Sequence, residues 1–245
     1  MALVRLEAAR LERTGIPGDR SFAVVDERMR LVNGKRLGAL VTIRPTWDPM
    51  QGTLALRFPD GREVRDEVRL GDPTDAIFFQ RPRPVRPVEG PWSAALSTWA
   101  GRELRLVAPI GDGAGIDRGP SASLLSTSAL DVLAAEEGRD VPVDGRRFRM
   151  TFGIEGTEPF AEDGWLGREV RVGDALVRPL DFVGRCAVTT QDPDTGVPDF
   201  PTLKVLERLR GHISSEDEDL PCGVWAEVLG AGDVRVGDAV GPLGG

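Results

Sequence analysis

Breaks in regular structure come too often in this chain for long helices. Its 245 residues include 30 glycines and 19 prolines, about a fifth of the whole, spread along the length rather than gathered in one tract. Proline removes a backbone donor and glycine admits turn conformations, so the pattern favours short strands joined by tight turns over a helical bundle. With no collagen-like period and no long polar tract, the composition is that of a folded protein. The length suits one large β domain or two small ones, either with enough core to fold without disulfides or metals.

Charge narrows the partners. The 31 Lys and Arg residues against 39 Asp and Glu give a net charge of −8, which repels polyanions, so neither nucleic acid nor an anionic membrane is an expected partner. Charges interrupt the opening MALVRLEAARLERTG every few residues, and no apolar run approaches a membrane-crossing length. The expectation is a cytoplasmic protein. Cys186 and Cys222 are the two cysteines, and in a reducing compartment a disulfide between them is not expected. His212 is the one histidine, which excludes a multi-histidine zinc site. Beside Gly211 and the acidic run from Ser214 to Asp219, it reads as an exposed residue at a helix end.

Local pattern places the elements. Residues 20–26, RSFAVVD, read as a strand entered through the turn at 15–19, and residues 54–70 as a hairpin turning at Pro59-Asp60-Gly61. Residues 81–91 hold Pro82, Pro84, Pro87 and Pro91, too many for a ladder, and read as an extended connection separating two lobes. Helices are expected at 92–100, stopped by Gly101; at 128–137, with Ser128 as N-cap and Gly138 beyond the end; and at 202–210, presenting Leu203, Leu206 and Leu209 before Gly211. The run VRVGDAL at 170–176 returns as VRVGDAV at 234–240, two similar strand–turn–strand corners of one barrel.

The densest group of unusual residues is GRCAVTTQDPDTG at 184–196. Cys186 stands beside Arg185 at the end of a strand-like run, and a loop of Asp, Thr, Pro and Gly follows. A neighbouring cation favours the thiolate, the form that attacks electrophiles or binds soft metals. A small buried hydrophobe is the alternative reading of the same cysteine.

This run resembles the cysteine loop of MOSC proteins, the family named for the C-terminal domain of molybdenum-cofactor sulfurase, and especially the subgroup containing the mitochondrial amidoxime-reducing component. In order along the chain, residues 15–26, GIPGDRSFAVVD, look like the opening of the family's N-terminal β-barrel domain. Arg147-Phe148-Arg149-Met150-Thr151 resembles its F-R-x-N segment, and Val172-Gly173-Asp174 and Val236-Gly237-Asp238 resemble its two corners. The resemblance implies a mostly β fold: an N-terminal β-barrel-like domain over 1–90, then a MOSC β-barrel with a few short helices over 91–245. It implies that Cys186 is the catalytic metal ligand, binding molybdenum in the pterin molybdenum cofactor (molybdopterin). Cofactor contacts are implied at Lys35 or Arg36, at Ser126 and Thr127 before a helix start, and at Arg149 and Thr151. Thr151 stands where the family has Asn, and the family's first strand, with Pro-Val-Lys-Ser, has no counterpart in Met1-Ala2-Leu3-Val4-Arg5-Leu6. Cys222 matches no ligand position and is expected to be structural. The implied activity is an oxidoreductase acting on a small molecule, N-hydroxylated compounds among the candidates, with electrons from a separate donor protein. The second reading is a non-catalytic module that carries the cofactor or a persulfide sulfur on Cys186.

Overall fold

The computed structural model describes residues 1–111, 121–211 and 220–244. His212 and the acidic run behind it lie outside the described residues. Strands dominate, as the turn-rich sequence requires: β1 (Ala8–Leu11), β2 (Ala23–Asp26), β3 (Arg44–Asp48), β4 (Thr53–Arg57), β5 (Glu63–Glu67), β6 (Arg69–Leu70), β7 (Thr74–Phe78), β8 (Arg81–Glu89), β9 (Leu104–Pro109), β10 (Ala122–Ser126), β11 (Phe152–Ile154), β12 (Val170–Val172), β13 (Ala175–Arg185), β14 (Leu220–Gly230), β15 (Gly232–Arg235) and β16 (Val240–Pro242). Three nine-residue helices interrupt them, α1 (Trp92–Ala100), α2 (Ser128–Glu136) and α3 (Thr202–Arg210). None of the described helices is long and apolar enough to cross a membrane. The mostly β fold with a few short helices is as expected.

The chain divides into two compact units, one of Met1–Val4, Pro17–Arg118 and Asp194–Gly196, the other of Arg5–Ile16, Gly119–Pro193 and Val197–Gly245. In the first, the strands run in the order β2-β9-β8-β6 with β7 also on β8, and β3-β4-β5 form a separate meander. The hairpin turns where Pro59-Asp60-Gly61 predicts, the Phe58 amide donating to the Arg62 carbonyl at 2.8 Å. Leu54, Leu56, Leu96, Leu104 and Leu106 pack around Trp92, whose indole N–H donates to the Leu54 carbonyl at 3.1 Å, so α1 is pinned by its first residue.

Residues 81–89 are a strand and not a connection, which corrects the sequence reading. Pro82 and Pro84 share parity, so both ring nitrogens turn to the β9 flank of β8, where the ladder begins at Val85 and the Ile110 amide reaches beyond it to the Pro84 carbonyl at 2.9 Å. Pro84 only accepts there, and at Pro87, whose carbonyl accepts the Gly71 amide at 2.9 Å, the Arg86 guanidinium donates to the Gly71 carbonyl at 2.9 Å in place of the missing proline donor.

In the second unit a six-stranded sheet runs β11-β10-β14-β13-β12-β16, and β1 pairs with β15. Three register shifts interrupt the long β13–β14 ladder, each adding local bend and twist. The two echoed corners do meet: the Asp174 amide donates to the Asp233 carbonyl at 3.0 Å and the Gly173 amide to the Ala239 carbonyl at 3.2 Å. Leu124, Val170, Val172, Val177, Val224 and Ala226 fill the core beneath.

α2 and α3 cover a second cluster containing Leu125, Leu133, Phe148, Phe200, Leu206 and Cys222. Two local expectations are corrected here. Thr127, not Ser128, is the N-cap of α2 and makes no side-chain capping bond; Ser128 is already the first helical residue, and its hydroxyl donates to the Thr157 carbonyl at 2.8 Å. On α3 the buried stripe is Val205 and Leu206, and Leu209 is exposed.

Candidate functional site around Cys186

β13 ends by strand alternation: Val183 and Arg185 point inward and are buried, and Cys186 faces out with a free, exposed thiol. Extended backbone at Cys186 (φ −124°, ψ 175°) opens a 3₁₀ turn over Ala187–Thr190. The Cys186 carbonyl accepts two bonds from Thr189, from its amide and its hydroxyl, both at 3.0 Å. The β13–β14 ladder, ending at the Arg185–Leu220 pair, fixes the main chain before the thiol and the Thr189 bonds fix it after, while the sulfur stays open to a ligand.

The loop that follows is held by arginines that sequence reading did not single out. Arg147, with a 5% exposed side chain, donates to both carboxylate oxygens of Asp199 at 2.6 and 2.7 Å and to the Thr190 carbonyl at 3.3 Å. Arg139 donates to the Asp199 carbonyl at 2.8 Å and lies over the Phe200 ring at 4.7 Å. Forked guanidinium–carboxylate geometry makes such a pair both strong and directional.

Arg185 does not stand beside the thiol as its place in sequence suggests, because successive strand residues face opposite ways. Its guanidinium is buried and donates to the Cys222 carbonyl from Nε at 2.8 Å and again from Nη2, to the Phe148 carbonyl at 2.9 Å, and to the Met150 sulfur at 2.9 Å. Arg149 lies between those two residues, partly buried and left-handed (φ 53°, ψ 39°) after the 3₁₀ turn Gly145–Phe148. A non-glycine residue in that region costs roughly 1–2 kcal/mol, and such strain gathers at functional sites.

Thr151 and Ser123 join β10 to the start of β11. The Thr151 amide donates to the Ser123 hydroxyl at 2.9 Å, and the Ser123 amide to the Thr151 hydroxyl at 3.1 Å. Ser126 is buried, its hydroxyl accepting the Phe160 amide at 2.8 Å, and Thr127 donates from its hydroxyl to the Ile154 carbonyl at 3.2 Å. Beside Ser126 the fully buried Glu162 has neither carboxylate oxygen in a hydrogen bond of ordinary geometry. Burial raises its carboxyl above the usual range against the pull of its own amide and Ser126. Cys222 is buried as expected of a structural residue, and burial pushes its thiol up to about 11.

Of the sequence-predicted site residues, Ser126, Thr127, Arg149, Thr151 and Cys186 belong to the second unit, and Lys35 and Arg36 to the first. Lys35 is exposed, its amide on the Asn33 side chain at 3.1 Å. Arg36 is exposed and forms an ion pair with the buried Asp26 at 3.1 Å while also donating to the Leu31 carbonyl. Burial works to raise the Asp26 carboxyl, but the Arg30 and Arg28 amides and the Arg36 charge outweigh it and hold it low.

Among the described residues no three His, Cys, Asp or Glu side chains cluster as a metal site. Cys186 offers one soft donor, so a metal there must bring its other ligands with it. The molybdenum cofactor, whose pterin part chelates the metal, has that character, and the donor present fits it.

Comparison with known proteins gives the same direction. Residues 119–241 match the family model of the MOSC domain, and residues 1–81 that of the MOSC N-terminal beta barrel domain. The chain is similar to mitochondrial amidoxime-reducing component 1 of Xenopus laevis, 25% identical over 93% of this chain and 73% of that protein. It is likewise similar to mitochondrial amidoxime-reducing component 1 of Danio rerio, 25% identical over 97% of this chain and 79% of that one. Among solved structures, YiiM from Escherichia coli aligns with a TM-score of 0.37 at 14% identity, over 54% of this chain and 58% of that chain.

Proposed function

Because the chain belongs to the MOSC domain family, we propose that it holds a molybdenum cofactor through the Cys186 thiolate and works as an oxidoreductase. The observation that carries this reading is the exposed, free thiol of Cys186 on a turn whose backbone is fixed on both sides. When bound, the cofactor supplies two-electron or oxygen-atom chemistry, and the protein supplies binding and orientation. Cys186 would hold the metal as its thiolate, the thiol proton passing to solvent. Arg149 offers a permanent cation for the phosphate or pterin, and the start of α2 at Thr127 offers backbone amides. Thr151 aligns the Arg149 segment with β10 through Ser123. Lys35 and Arg36 are proposed contacts by resemblance alone.

The relatives' name, amidoxime-reducing component, supports N-hydroxylated small molecules as the substrate class; delivery of electrons by a separate protein is proposed by resemblance alone. The test is metal analysis of protein made in a host that synthesises molybdenum cofactor, for wild type, Cys186→Ser and Cys222→Ser. Stoichiometric molybdenum in wild type and Cys222→Ser, with loss in Cys186→Ser and with turnover of an amidoxime, is expected. Equal metal in wild type and Cys186→Ser would overturn the ligand assignment, and a persulfide on Cys186 without molybdenum would favour a sulfur carrier.

A further inference from the structure

Arg185 carries a cost that a filler of the core would not. It is 9% exposed, and among the described residues no carboxylate pairs with it. Isolated buried cations are expensive, and an apolar side chain of similar volume is often as stable or better. What the guanidinium supplies is a rigid fork of donors. One arm takes the Cys222 carbonyl of β14, another the Phe148 carbonyl and a third contact the Met150 sulfur, while the Phe148 ring lies 5.2 Å from its centre.

The space for this grip is left by Gly223. Its φ is +81°, and a Cβ there would lie 2.6 Å from the Met150 methyl, 2.7 Å from the Leu124 carbonyl oxygen and 3.4 Å from Nη2 of Arg185. A side chain at 223 would push Met150 off the guanidinium.

We propose that Arg185 is a positioning residue: gripping Phe148 and Met150 on either side of Arg149, and tied by the chain to Cys186, it sets where Arg149 and Cys186 stand relative to one another. It touches neither substrate nor cofactor. The assignment rests on the reading of those two residues as cofactor contacts, but the device is a property of the protein without cofactor and is tested there.

The experiment is amide hydrogen exchange on cofactor-free wild type, Arg185→Met and Arg185→Lys. The amides to follow are Thr189, which bonds the Cys186 carbonyl, and Arg149, which bonds the Arg146 carbonyl. Strand β12 is the reference. In Arg185→Met, protection at Thr189 and Arg149 is expected to fall about tenfold or more, with β12 changing less than about twofold, because local opening exchanges amides independently of global unfolding. Arg185→Lys, with charge but no fork, should recover only part of it. Met150→Ala, which leaves the guanidinium but removes its sulfur contact, should reproduce the same local pattern if Arg185→Met does not fold. A uniform loss across β12, Thr189 and Arg149 would make Arg185 a general stabiliser and overturn the proposal, as would unchanged protection or failure of all three variants to fold. Failure of the cofactor reading is seen separately, as wild type without molybdenum.

Discussion

Arg147 grips Asp199 through two parallel bonds although 52 residues separate them in the chain. The partners are unequally placed: the Arg147 side chain is 5% exposed and that of Asp199 is 39% exposed. Removing the carboxylate strands a buried cation, whereas removing the cation leaves a carboxylate that water can reach. Asp199→Ala should therefore destabilise more than Arg147→Met, by about 1–3 kcal/mol against about 1 kcal/mol or less. Urea midpoints of both variants decide it, and the reverse order would mean that the pair is not what holds the loop.

Glu162 should give the protein a pH dependence of unusual sign. Its carboxyl is raised by burial, so the folded state holds the proton more tightly than the unfolded chain, where the value is about 4.3. The stabilisation from this group is full below the unfolded value and is lost as pH rises through the folded one. Glu162→Gln should flatten the fall in urea midpoint between mildly acidic and mildly alkaline buffer and be the more stable protein at the alkaline end. Parallel curves for the two proteins would show an ordinary acid at 162.

The two thiols should separate cleanly. Cys186 is exposed and Cys222 is buried with its thiol pushed up to about 11, which leaves about one thiolate in a thousand at pH 8. Iodoacetamide on the native protein should label Cys186 alone, with Cys222 following only on unfolding, as read by peptide mass spectrometry. Early labelling of Cys222 would contradict its burial.

Gly196 should tolerate no side chain. It is buried at φ +75°, and a Cβ would fall 2.2 Å from the carbonyl carbon and oxygen of Gly38, within the first unit. Gly196→Ala is expected to cost about 2–4 kcal/mol from backbone strain and overpacking together. Gly61→Ala, with φ +85° but open space around it, should cost only about 1 kcal/mol. Thermal unfolding compares them, and equal losses would leave the contact with Gly38 without energetic weight.

What could be read from sequence was local. Gly101 and Gly211 stop α1 and α3 where expected, and Pro59-Asp60-Gly61 turns the hairpin, because each signal acts on its own neighbours. Cys186 was legible as a candidate through its loop, and its thiol is free and exposed. β8 was not, since whether a proline breaks a ladder depends on which flank its nitrogen faces and where the next strand begins. β1 is only four residues long and means nothing until β15 pairs with it. The Arg147–Asp199 pair leaves no local signal at all. Arg185 was misread in direction, although strand alternation already holds that a residue next to an outward thiol points inward.

The pairing of β1 with β15, register Ala8 to Arg235 and Leu11 to Gly232, joins within the second unit two strands more than two hundred residues apart. During synthesis the earlier strand leaves the ribosome long before its partner exists. Non-local pairing of this kind is slow because loop closure precedes any gain from contact. The unit around Cys186 therefore completes its fold only after β15 has been made, and until then β1 lacks the partner that covers its edge.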